Sequence, residues 1–440
     1  MNIKNTHYPY KIAAVISILI VFFLISACVP EARQPLDLIP LEATASQQSD
    51  LLQEVTPNPT RPSYPPGTLV DYIAQSGDTL PALAAHFNST IEEIQKANPI
   101  IPAGATTMPP GLPMQIPIYY EAIWSSSFQI LPDISFVYGP RDIGFDVVAF
   151  VNSQPGWLKN SKDAVGLLIR PGAEVVLHTS INFSVSPKLL LAILEYQTGA
   201  LSNPVPPESI SDYLLGYRNR SYTGLSQQLV WAANRLNNGY YGWREGSLQT
   251  YSHQDGRLER PDPWQNAASA GLQYYFSRVL DRVTYTHAIS SAGLLETYTQ
   301  LFGNPWDGDL TLIPGSLQQP PMILPFAPGL IWAYTGGPHT GWGLGAPFAA
   351  IDFAPGSVVG GCSRSEEPAR AVADGVIARV DTAIAVLDLD GDGDERTGWV
   401  VFYLHLRNTD LPTVGKQLKQ GDVIGDRKST RLNSSHGKLS

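Results

Sequence analysis

The sequence predicts a multi-domain α+β protein, and three observations carry that prediction. Two short helical patterns are bracketed by strand patterns between residues 68 and 118. Helical periodicity dominates from about residue 184 to 306. Beyond that, strand-length apolar runs, Phe348 to Phe353 and Trp399 to Leu406, carry a lone Asp and a lone His into an antiparallel β-rich region. The length of 440 residues fits roughly two to four such domains. A formal net charge of −10 leaves no basic footprint and argues against nucleic acid as a partner.

Residues 1–28 begin with Lys4 and Lys11, continue as an apolar run and meet Cys28, the pattern of an export signal. Ile25-Ser-Ala-Cys28 resembles a bacterial lipobox, which implies a lipid on Cys28; an uncleaved membrane anchor is the alternative. Either reading places the rest of the chain outside the cytoplasm, at a membrane surface. Of the two cysteines only Cys362 then remains, so no intrachain disulfide is expected. Residues 29–67 turn to Pro, Gln, Ser, Thr and Glu without periodicity and read as a disordered tether.

In 68–118, Leu69 to Gln75 reads as a strand, and Asp78 or Thr79 caps a helix over Leu80 to Phe87. Thr90 and Glu93 form a capping-box signature for a second helix, and Pro110 to Pro117 returns as a strand. This βααβ unit is similar to a LysM domain, on Gly77-Asp-Thr-Leu80, Ile94, Asn98 and Ile116-Pro117. The resemblance implies binding of peptidoglycan glycan through the loops after the first strand and the second helix; a small adaptor without sugar affinity is the alternative.

Residues 119–306 form the middle domain. Phe145 to Val151 and Glu174 to His178 read as strands. Ser186 as N-cap, Pro187 at the first turn and Gly199 as a stop then frame a helix that ends near Glu195. A carboxyl in the last turn of an apolar helix is favoured in its protonated form, as a glycosidic general acid requires. With Tyr222 to Gln228, this helix loosely resembles lysozyme-like lytic transglycosylases, which implies Glu195 as their acid. The other reading makes Glu195 an ordinary residue near a C-cap. Asp255, Glu259 and Asp262 are candidate second carboxylates, and His178, His253 and His287 read as structural or solvated.

Residues 307–329 form a Pro- and Gly-rich linker into the region 330–425. There His339 sits in a Gly-rich turn and Asp352 follows 13 positions later inside an apolar run. A divalent cation with an imidazole is one of the few partners that repays burying such a carboxylate. Gly-Pro-His339, Asp352-Phe-Ala-Pro, residues 368–377, Tyr403-Leu-His-Leu and residues 414–425 resemble the LytM/lysostaphin-type zinc peptidases, family M23. The resemblance implies His339 and Asp352 as Zn2+ ligands and His405 as a non-ligand catalytic imidazole. That family carries a later His-x-His with the third ligand, which this sequence lacks. Residues 426–440 resemble a translated sequencing-adapter tail and are expected outside the fold, with His436 only a numerical substitute.

Asp388, Asp390, Asp392 and Asp394 alternate as at the start of a Ca2+ loop, although Trp399 stands where an EF-hand has its bidentate Glu; an acidic hairpin is the other reading. The function expected is a zinc-dependent peptidoglycan endopeptidase at the cell envelope, with little activity in the chain as written. The alternatives are glycan cleavage through Glu195 or a non-catalytic, wall-binding scaffold.

Overall fold

The computed structural model describes residues 58–208, 212–315, 317–356 and 367–426, with the backbone of 436–439. The apolar leader, Cys28, most of the expected tether and Cys362 lie outside the described residues. Among the described residues, no helix is long and apolar enough to cross a membrane.

Strands β1 (Thr68–Ile73) and β2 (Pro113–Ile118) pair antiparallel beside helices α1 (Leu80–Phe87) and α2 (Ile91–Ala97). Thr79 caps α1 by accepting from the Ala82 N–H, and Thr90 and Glu93 close a reciprocal capping box on α2. Leu83, Phe87, Ile94 and Ile116 fill the small core. The unit leans on the middle domain. His86 stacks on Trp243 with ring centroids 3.5 Å apart, and its Nε2 lies 2.8 Å from the Trp243 carbonyl oxygen.

Residues 58–67, expected as the end of the tether, are docked instead. Arg61 pairs with Asp262 at 3.0 Å and lies over the Trp264 ring. Asp262 is fully buried, and its carboxylate retains the segment that supplies its cation.

The middle domain consists of α3 (Val147–Ser153), α4 (Gly172–Phe183), α5 (Pro187–Thr198), α6 (Gly224–Glu245), α7 (Ala267–Val279), α8 (Arg282–Ala288) and α9 (Leu294–Phe302). Two small hairpins join them, β3 (Lys162–Val165) with β4 (Leu168–Pro171) and β5 (Tyr251–Ser252) with β6 (Leu258–Glu259). The strands expected at Phe145 to Val151 and Glu174 to His178 are helices. Asp146 caps α3 by accepting from the Ala149 N–H, and Val147 and Val151 bury one face. In α4, Val175, Val176, Thr179 and Phe183 recur at helical spacing on the buried side. Short β-branched runs gave a strand signal that the longer periodicity overrides.

Helix α5 is largely buried and packs against α9 and α4, while α6 and α7 cross each other. A Cβ on Gly239 would stand 2.8 Å from the Gly271 Cα and from the Tyr274 Cβ, so this crossing depends on two bare backbones meeting.

The C-terminal region is an antiparallel sheet of seven strands, ordered β13-β10-β11-β12-β15-β8-β7. They are β7 (Trp332–His339), β8 (Ala350–Pro355), β10 (Gly375–Asp381), β11 (Ile384–Asp388), β12 (Val400–Leu404), β13 (Gln417–Leu418) and β15 (His436–Leu439). Short strands β9 (Ala369–Arg370) and β14 (Val423–Gly425) pair separately. Residues 436–439 thus depart from the expectation that the tail lies outside the fold. Their backbone bridges β8 and β12, whose facing edges would otherwise present unpaired N–H and C=O groups.

Two outcomes are expected. Gly239→Ala should destabilise the chain by about 1–3 kcal/mol through overpacking, read as a lowered denaturant midpoint. Burial pushes the His86 imidazole down to about 3 from its ordinary 6.5. The undocked state therefore takes up the proton first, and the stability that His86 lends to docking is full above pH 6.5 and falls away as the pH drops toward 3. His86→Phe, which keeps a stacking ring, should flatten that part of the thermal-stability profile.

Candidate metal centre

Strands β7 and β8 form the site. Their register shifts between Tyr334 and Gly336 and again between Gly336 and His339. These irregularities turn the end of β7 so that the His339 ring faces β8. Gly336 lies opposite Asp352, and a Cβ there would stand 2.8 Å from the Asp352 Oδ2. The missing side chain is what leaves room for the carboxylate.

His339 Nε2 lies 3.0 Å from Asp352 Oδ2, and its Nδ1 lies 2.7 Å from the Thr340 carbonyl oxygen. Both partners are acceptors: Nδ1–H donates to the Thr340 carbonyl, and a divalent cation between Nε2 and the carboxylate would take the place of a second proton there. An Nδ1 tied to a backbone carbonyl is the support that a metal-ligating histidine commonly has. Asp352 is buried at 8% side-chain exposure and His339 is 32% exposed, so the pair is reachable from solvent on the histidine side. An imidazole nitrogen and a carboxylate oxygen about 3 Å apart suit neighbouring vertices of a tetrahedral zinc site, and the residues present fit that ion as two of its ligands.

His405 follows β12 with φ 63, a left-handed conformation that takes it out of the strand's alternation. Tyr403 pairs with Gly437, and Gly437 with Ile351, so Leu404 is level with Asp352 and His405 with Phe353. His405 therefore lies at the same end of the sheet as Asp352, two strand spacings or roughly 10 Å away. The backbone of His436 pairs with Asp352, while its side chain lies outside the described residues.

Glu195 is far from this pattern in both fold and chemistry. Its Oε2 accepts from the N–H groups of Leu201 at 2.7 Å and Ser202 at 3.2 Å, tying down the loop after α5. The candidate second carboxylates are engaged elsewhere. Asp255 accepts from the Arg257 N–H, Asp262 holds Arg61, and Glu259 meets His253 Nε2 at 2.7 Å and Arg257 Nη1 at 2.5 Å. Burial alone would raise the Glu259 carboxyl, but His253, Ser125 and Arg257 outweigh it and hold the group at about 2. His253, isolated in the sequence, is thus a buried structural partner, and His287 meets the Tyr196 hydroxyl at 3.0 Å.

Asp388, Asp390 and Asp392 bring one oxygen each within 4.8 Å of one another. Asp394 turns away to a two-point pair with Arg396. Asp388 Oδ2 accepts from the N–H groups of Gly391 and Gly393, and burial raises its carboxyl above the usual range. The loop is held by its own backbone in the manner of an acidic hairpin.

If Glu195 is a cap for the following loop, Glu195→Ala should cost about 1–3 kcal/mol of stability, read by denaturant unfolding, because it strips two N–H groups of a charged acceptor.

Comparisons with known proteins bear on the N-terminal unit and the middle region. A family model described as "LasA, N-terminal domain" matches residues 129–317, and one described as "LysM domain" matches residues 72–106. The middle region thus matches a LasA-type domain where the sequence suggested a loose likeness to transglycosylases. Protease LasA from one strain of Pseudomonas aeruginosa is 26% identical over 233 residues, which cover 50% of this chain and 51% of that protein. Its counterpart from a second strain is 27% identical over 237 residues. The chain spans about half the length of these curated relatives. A solved structure titled as a novel M23 metalloprotease, pseudoalterin, from the deep sea, is 25% identical with a TM-score of 0.22, covering 27% of this chain and 69% of that one. The chain carries a LysM domain followed by a LasA-type N-terminal domain, and it is homologous to protease LasA.

Proposed function

We propose that the chain is an exported peptidoglycan hydrolase whose C-terminal region is an M23-type, zinc-dependent endopeptidase for peptide cross-links. In this reading the LysM domain holds it to glycan and a lipid on Cys28 holds it to a membrane. One observation carries the catalytic part: His339 Nε2 is aimed at Asp352 Oδ2, 3.0 Å away, while Nδ1 is tied to the Thr340 carbonyl. Homology to protease LasA supports the same reading.

His339 and Asp352 would hold the zinc, which when bound polarises a scissile carbonyl and acidifies a water molecule. Buried beside Gly336, Asp352 keeps its carboxylate fixed, so little reorganisation is needed as charge develops. His405, at the same end of the sheet, would take or return a proton or donate to the developing oxyanion. In the LysM unit, Ser76 exchanges hydrogen bonds with Ile313, so the loop after β1 is partly engaged by the rest of the chain. The loop after α2 stays open, with Ile100 77% exposed, and offers the freer surface for glycan.

Zinc titrated against a chelating dye should bind the intact chain at one equivalent, and His339→Ala or Asp352→Ala should lose it. New peptide termini in sacculi treated with zinc-loaded protein, expected to be few for the chain as written, should be absent with either variant. A chain that binds sacculi, takes up no zinc and leaves the peptides uncut would be a wall-binding scaffold, and the enzymatic reading would fail.

A further inference from the structure

The loop that joins the two candidate ligands is not free on the surface of the C-terminal region. It runs from Thr340 to Ala346 and meets α6 of the middle domain at two asparagines one helical turn apart. Asn234 Oδ1 accepts from the Leu344 N–H at 2.8 Å. Asn238 Oδ1 accepts from the Ala346 N–H at 2.7 Å, and its Nδ2 donates to the Leu344 carbonyl at 2.9 Å. A spacing of four residues puts both amides on one face of the helix.

The contact is built closely. Gly343 and Gly345 have φ +77 and +94, and a Cβ on either would collide with the Asn234 or Asn238 side chain. Trp342 completes the docking, packing against the middle-domain core on one side and edge-on against Phe402 of β12 on the other. Tracing back from there, the Thr340 hydroxyl donates to the Trp342 carbonyl at 2.7 Å, and the Thr340 carbonyl accepts from His339 Nδ1. A continuous chain of contacts therefore runs from α6 to the ring of the candidate ligand.

We infer that Asn234 and Asn238 are positioning residues of the metal centre, through which the middle domain sets the orientation of His339. This rests on the reading of His339 and Asp352 as zinc ligands. The middle domain is then a working wall of the site. The side chain of Leu344 is 73% exposed, so protection of its amide depends on the Asn234 bond.

The test uses the full chain, zinc as the probe, and hydrogen exchange as a second readout. Asn234→Leu combined with Asn238→Leu should speed exchange at the Leu344 and Ala346 amides and weaken zinc binding about ten-fold, the scale of losses when a ligand's supporting partner is removed. Asn234→Asp, which keeps an acceptor for the Leu344 N–H, should hold zinc within about two-fold of wild type. Equal zinc affinity in the double variant despite faster loop exchange would overturn the positioning role while leaving the metal site standing. Wild-type protein whose zinc binding is absent, or unaffected by His339→Ala, would overturn the metal reading and the positioning role with it.

Discussion

A carboxylate set into an apolar strand is tolerated only beside a strong donor or a cation, and the C-terminal region is arranged to meet that demand at Asp352. The neighbouring strand gives up its regular register twice so that His339 can reach across, and it has no side chain at Gly336 because the carboxylate occupies that space. Strand alternation then assigns the two faces of the sheet. Ile351 and Phe353 line an apolar cavity of about 420 Å³ with Val401 and Tyr403. Asp352 points the other way, toward the face where Trp342 and Phe402 meet and the middle domain docks.

Local signals were legible where chemistry and structure lie within a few residues. The capping box of Thr90 and Glu93 and the Pro187 and Gly199 limits of the central helix needed no knowledge of the rest of the chain. His339 and Asp352 stood out because a polar residue in an apolar run is costly and so informative. The short runs at Phe145 and Glu174 were ambiguous by nature, since a few β-branched residues bury equally well in strand or helix. Ser186 was placed correctly as an N-cap residue, yet its hydroxyl bonds to Asp142 instead of the helix end, a partner 44 positions away.

Long-range partnerships were the part that sequence could not show. Glu195 has the setting of a general acid until the chain folds back and presents two N–H groups to it. Asn234 and Asn238 carry no signal at all, because their partners lie more than a hundred positions downstream and the contact consists of backbone groups. Gly343 and Gly345 were visible only as turn formers; that they admit another domain's amides depends on tertiary structure. The cluster of buried His253 and Glu259 with half-buried Arg257 shows the same limit, as three polar residues of one hairpin became one network.

The stacking of His86 on Trp243 has a mechanical meaning. With α1 held against the end of α6, and the same helix gripping the loop beside His339 about two turns earlier, one helix touches both the LysM unit and the loop of the candidate metal centre. A helix rises about 1.5 Å per residue, so the offset between those two grips along its axis is roughly 8–14 Å. Under the proposed function, a shared helix would act as a gauge, holding the candidate metal centre at a set distance from any glycan bound by the LysM unit.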